Sequence, residues 1–210
     1  MQIAFIGAGN VGAPLAAHLA EAGHAVTLAE SRAASDTVAR ALGRSPRLRA
    51  LPLAEAVEAA DVVVLATPFS TLATLLPPLA DRLAGKVVVD CTNPVGPGLR
   101  HGLHSERSGS AFVQDLLPAA RVVKAFSIYG FENLEDSTWA GAPPAMLFCG
   151  DDAPAKAATA DLIRACGFEP VDVGGLAQAL HLEHMTLLWI RMVRAGGHSP
   201  HLAWAVLRAA

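Results

Sequence analysis

Residues 2–12 constrain this chain more than any other stretch. A short apolar run, Ile3-Ala4-Phe5-Ile6, leads directly into Gly7-Ala8-Gly9-Asn10-Val11-Gly12, and a helical pattern follows over 11–22. In a strand–loop–helix unit of this kind, the first glycine permits the tight turn and the second lets the backbone approach a pyrophosphate. The third lets helix and strand pack closely. The helix start adds unpaired N–H groups and the positive end of its dipole. The loop therefore points to a dinucleotide, its pyrophosphate lying against Gly9 and the helix start.

The rest of the chain keeps the alternation. Near-continuous apolar runs at 2–6, 25–29, 62–66, 86–90 and 121–125 read as strands covered on both faces. Helical patterns lie between them at 11–22, 33–42, 53–59 and 71–83, with a weaker strand at 48–50. A further strand (145–149), helix (154–166) and strand (170–173) extend the same sheet. Asp151-Asp152-Ala153-Pro154 marks that helix's start, with an aspartate available as cap, and Gly167 its end. A last long helix is expected over 176–193, stopped at Gly196-Gly197 and followed by a short tail helix. The fold class is α/β: a Rossmann-type, doubly wound, mostly parallel sheet over 1–175, with a small C-terminal helical lobe over 176–210. Pro143-Pro144 and the polar stretch 96–109 read as loops, the second long enough to be functional.

Composition narrows the partners. The chain is 52% hydrophobic and 17% charged, so it can bury a core and does not resemble a disordered sequence. A net charge of −3 argues against nucleic acid, and Arg44, Arg47 and Arg49 read as a solvated loop edge. No apolar stretch approaches the roughly 18 residues of a membrane span. Cys91, Cys149 and Cys166 are widely spaced among apolar neighbours and read as buried thiols in a reducing compartment. A soluble, cytoplasmic protein is expected.

The ends of successive strands are candidates for the rest of the site, because ligands of open α/β sheets bind at the carboxyl edge. Glu30 stands where an acid bonds the adenosine ribose of NAD, whereas Ser31 and Arg32 suit the 2′-phosphate of NADP. Both cofactors stay open on these residues. Thr67 and Pro68 follow one strand, Asn93 and Pro94 the next, and Ala125 and Phe126 the one after. Together they should line the nicotinamide half of the cleft. Lys124 could act as a general acid, although a solvated strand-end lysine is the simpler reading. The histidine pairs His101/His104, His181/His184 and His198/His201 lack further ligands, so no metal is expected. Hydride transfer between two bound rings needs proximity more than a strong acid or base, and no catalytic side chain is assigned.

Gly7–Gly12, Ser31-Arg32, Thr92-Asn93-Pro94, Val122-Val123-Lys124-Ala125-Phe126, Gly150-Asp151-Asp152 and the stretch Gly167-Phe168-Glu169-Pro170-Val171-Asp172-Val173-Gly174 occur in an order that resembles the NADPH-dependent deazaflavin (coenzyme F420) reductases. The cytosolic domain of eukaryotic six-transmembrane ferric reductases is similar. The resemblance implies a Rossmann domain with a small C-terminal lobe, a homodimer, and hydride exchange between NADP(H) and a deazaflavin or flavin stacked on the nicotinamide. By position it puts the 2′-phosphate on Ser31 and Arg32, and the nicotinamide among Thr67, Pro68, Asn93, Pro94, Ala125 and Phe126. This chain departs from the pattern at Glu30, where the family has Ser or Asn, and at Ser127, where an Asn is common. Tyr129 or Phe131 could stack on the second ring or simply pack, and Ser105-Glu106-Arg107-Ser108 could cover the cleft. The alternatives are an NAD(P)H-dependent reductase of a small carbonyl or imine, and a dinucleotide sensor without turnover, whose nicotinamide face would be sealed by Phe69, Phe126 or Tyr129.

Overall fold

The computed structural model describes residues 1–30, 35–136, 139, 141–207 and 209. The first half runs β1 (Gln2–Ile6), α1 (Gly12–Glu21), β2 (Ala25–Glu30), α2 (Asp36–Leu42), β3 (Arg49–Pro52), α3 (Leu53–Ala59) and β4 (Val62–Leu65). The helical pattern over 71–83 forms two single turns, α4 (Leu72–Leu75) and α5 (Ala80–Leu83), rather than one helix. Pro77 and Pro78 cause the break, since each lacks an N–H and its ring crowds the preceding turn. Next come β5 (Val87–Asp90), a small hairpin of β6 (Val95–Gly96) and β7 (Arg100–His101), then α6 (Gly109–Leu116) and β8 (Arg121–Lys124). The second half closes with α7 (Glu132–Glu135), β9 (Ala145–Gly150), α8 (Ala153–Ala165), β10 (Glu169–Asp172) and α9 (Ala179–Ile190).

Eight strands make one sheet in the order β10-β9-β8-β5-β4-β1-β2-β3. The six from β8 to β3 are parallel, as their alternation with helices leads one to expect. Alternate residues of β1 serve two cores: Ile3 and Phe5 face one, Ala4 and Ile6 the other. The pair β9–β10 extends this sheet as expected but runs the opposite way. β9 meets β8 antiparallel only through Val123–Gly150 and Lys124–Cys149. Its earlier residues therefore project past the carboxyl end of β8.

The stretch 96–109 is not a free loop. It holds the hairpin, and Ser108 caps α6 by accepting the Ala111 N–H at 3.0 Å. Ser105 meets His184 at 2.9 Å and Arg107 pairs with Asp115 at 2.6 Å, so this segment is stapled to α9 and α6 rather than hung over the cleft. Helix α9 packs on α6, β7 and β9, with Leu182 and Trp189 in the same core cluster as Ile3 and Phe5. Among the described residues after 196 there is no tail helix. Instead the Trp204 carbonyl accepts from Ala145 N–H at 2.9 Å, which strings the tail along the start of β9. No helix of the described residues is long and apolar enough to cross a membrane.

Candidate functional site

The phosphate loop is built from backbone contact. A Cβ placed on Gly7 would lie 2.4 Å from the Ala66 carbonyl oxygen, and one on Gly12 would lie 2.0 Å from the Gly7 carbonyl oxygen. Gly7 also has φ +108°, a conformation that L side chains rarely adopt. Both positions are thus filled by the chain itself, which locks β1, β4 and the start of α1 together. Gly9 is different: a Cβ there meets nothing within 4 Å. Val11 caps α1 without a side-chain acceptor, and the first turn carries no acidic residue. Its N–H groups remain for an anion.

Gly7, Ala8 and Gly9 form one wall of a cleft of about 540 Å³, faced by Thr67 and Pro68 from the end of β4 and by Leu53 and Leu75. A smaller concavity of about 180 Å³ adjoins it, bordered by Gly9, Asn10, Thr37, Arg40 and Arg44. Thr37, Leu53, Leu75 and Arg40 carry no local sequence signal, because only the folding of α2, α3 and α4 onto the carboxyl edge brings them there. Arg44 makes two bonds to Glu135, at 2.7 and 2.6 Å, so its charge is occupied, and Arg49 reaches Thr27 Oγ1 at 2.9 Å. Glu30 ends β2 half-buried. Ser31 and Arg32, on which the NADP reading leans, lie outside the described residues.

The other candidates sit at the next two strand ends. Asn93 donates from Nδ2 to the Ser127 carbonyl at 3.0 Å, which also accepts from Thr186 Oγ1 at 2.7 Å, and Asn93 Oδ1 lies 3.2 Å from that hydroxyl. Pro94, Ala125 and Phe126 are buried, so they do not line the 540 Å³ cleft. Phe126 holds φ +54°, a strained conformation for a bulky residue that costs about 1–3 kcal/mol. Tyr129 packs: its hydroxyl donates to the Ala145 carbonyl and its ring stacks on Phe168. Ser127 Oγ is buried without a hydrogen-bond partner among the described residues.

Beneath these strand ends lies a charge network that the sequence reading did not find. Lys124 is fully buried, and its ammonium donates to Glu183 Oε1 at 3.1 Å, to Asp90 Oδ2 at 3.4 Å, and to the Thr92 carbonyl. Burial alone would lower its pKa, but Asp90 and Glu183 outweigh that and hold it above the usual lysine value. All three ammonium protons are used, so Lys124 is neither solvated nor free to act as a general acid. Glu183 also accepts from His101 Nε2 at 2.7 Å and from the Gly109 N–H at 2.9 and 3.0 Å. Leu103 and Ser105 N–H both aim at His101 Nδ1, which makes this ring the neutral Nε2–H tautomer. The three cysteines are buried and unpaired, and burial pushes the Cys149 and Cys166 thiols up to about 12.

With this geometry in hand, the likenesses to known proteins agree. A family model described as NADP oxidoreductase, coenzyme F420-dependent, matches residues 2–94. The crystal structure of a candidate F420-dependent NADP reductase from Arthrobacter sp. superposes with a TM-score of 0.85 at 30% identity, covering 99% of this chain and 100% of that one. Metalloreductase STEAP3 of Rattus norvegicus is 31% identical over 186 residues, which is 89% of this chain and 36% of that protein. The F420-dependent NADP reductase of Methanocaldococcus jannaschii is 29% identical over 145 residues, 65% of this chain and 63% of that enzyme. The chain spans less than two thirds of the length of either of these two relatives.

Proposed function

The chain belongs to the coenzyme F420-dependent NADP oxidoreductase family, and on that premise we propose that it passes a hydride between NADP(H) and a deazaflavin or flavin. The reading is carried by the cradle at Gly9, where the chain leaves open the space that a Cβ would enter while closing it at Gly7 and Gly12. A pyrophosphate needs that close approach to backbone N–H groups. When bound, NADP(H) supplies or takes the hydride at its nicotinamide ring. Gly7, Gly9, Asn10, Val11 and Gly12 hold the phosphates, Glu30, Ser31 and Arg32 sort NADP from NAD, and Thr67, Pro68 and Asn93 border the nicotinamide, with the buried Pro94, Ala125 and Phe126 packed behind them rather than touching the ring. The chain's contribution is orientation rather than proton transfer, consistent with a lysine whose protons are all engaged.

A sealed sensor is disfavoured by the inward placement of Phe126 and Tyr129, two of the three rings that would have to close the face. The same reading includes a cytoplasmic homodimer, with the exposed Leu188 of α9 as a contact. The test is oxidation of NADPH and NADH by the purified chain with deazaflavin, flavin and a panel of small carbonyls and imines, repeated with Arg32→Ala. Turnover of NADPH with a ring acceptor is expected, and Arg32→Ala should weaken NADPH more than NADH. Tight NADPH binding without turnover on any acceptor would sink the reductase reading. Equal loss of both cofactors in the variant, with Glu30→Ala selectively weakening NADH, would shift the preference to NAD.

A further inference from the structure

We infer that Lys124 is a positioning residue: through its buried ammonium, helix α9 sets the Thr92–Pro94 turn against the nicotinamide half of the cleft. The inference rests on the hydride-transfer reading, which places Asn93 there. Both polar backbone groups of Thr92 are held by buried charges. Asp90 Oδ1 accepts the Thr92 N–H at 2.9 Å and its hydroxyl at 2.7 Å, while Lys124 takes the Thr92 carbonyl. The residue that follows, Asn93, donates to the Ser127 carbonyl, and Thr186 of α9 donates to that same carbonyl at 2.7 Å. One turn of one helix therefore supplies Glu183 to the ammonium and Thr186 to the carbonyl that holds the amide side chain. Asp90 Oδ2 is oriented in its turn by Ser110 Oγ at 2.6 Å.

Stability does not explain such a network. Burying two carboxylates and an ammonium is costly, and apolar side chains of equal volume commonly pack at least as well. What charged groups deliver and apolar ones do not is direction: a carbonyl and an N–H of one residue each fixed to a charge. The Gly109 N–H at the start of α6 and His101 saturate Glu183, so its position is determined from three sides. Met185 and Leu187, the neighbours of Thr186 on α9, offer no such groups.

The experiment uses the whole chain and two variants, Lys124→Met and Lys124→Met with Glu183→Gln. The second removes one buried carboxylate along with the ammonium, so it is the variant to read if the first does not fold. Adenosine 2′,5′-bisphosphate affinity reports the adenosine half of the cleft. Proton chemical shifts of bound NADP+ report adenine and nicotinamide separately, and kcat is taken per cofactor-binding site. We expect the bisphosphate affinity to stay within about twofold, the nicotinamide protons to move toward their free values, and kcat to fall about 10- to 100-fold, as for a misplaced reactant. Wild-type nicotinamide shifts and kcat in a folded variant would overturn the inference. So would loss of adenine and nicotinamide contacts together, which is what a merely structural lysine predicts. If wild-type chain binds NADP+ but turns over no acceptor, the functional reading fails while the chemical shifts still decide the role of Lys124. If it binds no NADP+ at all, both fail.

Discussion

The phosphate loop and the Thr92 turn lie on the same edge of one sheet, yet they are held in opposite ways. The loop is held by backbone against backbone. Gly12 sits on Gly7, and Gly7 on Ala66 at the end of the adjacent parallel strand. The turn is held by side-chain charges drawn from Asp90, Lys124 and Glu183, the last two 59 residues apart. The first device tolerates no added atom and needs no charge. The second tolerates no lost atom, because each deletion strands a buried charge. Steric exclusion suits a site that must present bare N–H groups to an anion. A charge network suits a turn that must be aimed from a distance.

Three substitutions probe that contrast, in descending order of expected effect on stability. Glu183→Ala leaves the Lys124 ammonium facing only Asp90 and a carbonyl, and strips His101 and Gly109 of their acceptor. It should cost about 3–5 kcal/mol in urea denaturation. A loss below about 1 kcal/mol would mean that the network is solvated or rearranges, as exposed pairs do. Gly12→Ala forces a methyl against the Gly7 carbonyl, with Ala66 Cβ 3.1 Å away on another side. We expect a loss of about 1–3 kcal/mol together with NADPH binding, since the clash is with backbone that cannot rotate aside. Gly9→Ala should change stability by less than about 0.5 kcal/mol while weakening NADPH and NADH alike, measured by fluorescence titration. If Gly9→Ala destabilises as Gly12→Ala does, the open cradle is filled by the protein and the contrast between the three glycines collapses.

Much of this was legible because it is local. The loop needs only its glycine spacing and the apolar strand before it. The start of α8 was visible in Asp152, whose Oδ1 indeed accepts the Ala155 N–H at 2.8 Å. Helix α6 was hidden by its own start, since Gly109 closed the stretch read as loop. Ser108 as a cap, with Phe112, Val113, Leu116 and Leu117 at helical spacing, was the signal that could have found it. The split between α4 and α5 was written in Pro77-Pro78 but masked by the apolar periodicity around it. The reversed direction of β9 has no local mark, because a buried strand carries the same residues whichever way it runs.

The amino-acid sequence alone determined the α/β alternation, the burial of the strands and the glycine spacing of the phosphate loop. Each is written in the pattern of neighbouring residues. Only the tertiary structure decided the fate of Lys124. A lysine at the end of an apolar strand can snorkel to solvent or be buried by a partner, and the choice rests on whether a carboxylate arrives from elsewhere. Here Glu183 arrives from α9, and that packing converts a candidate proton donor into the fixed centre of the contacts around Thr92.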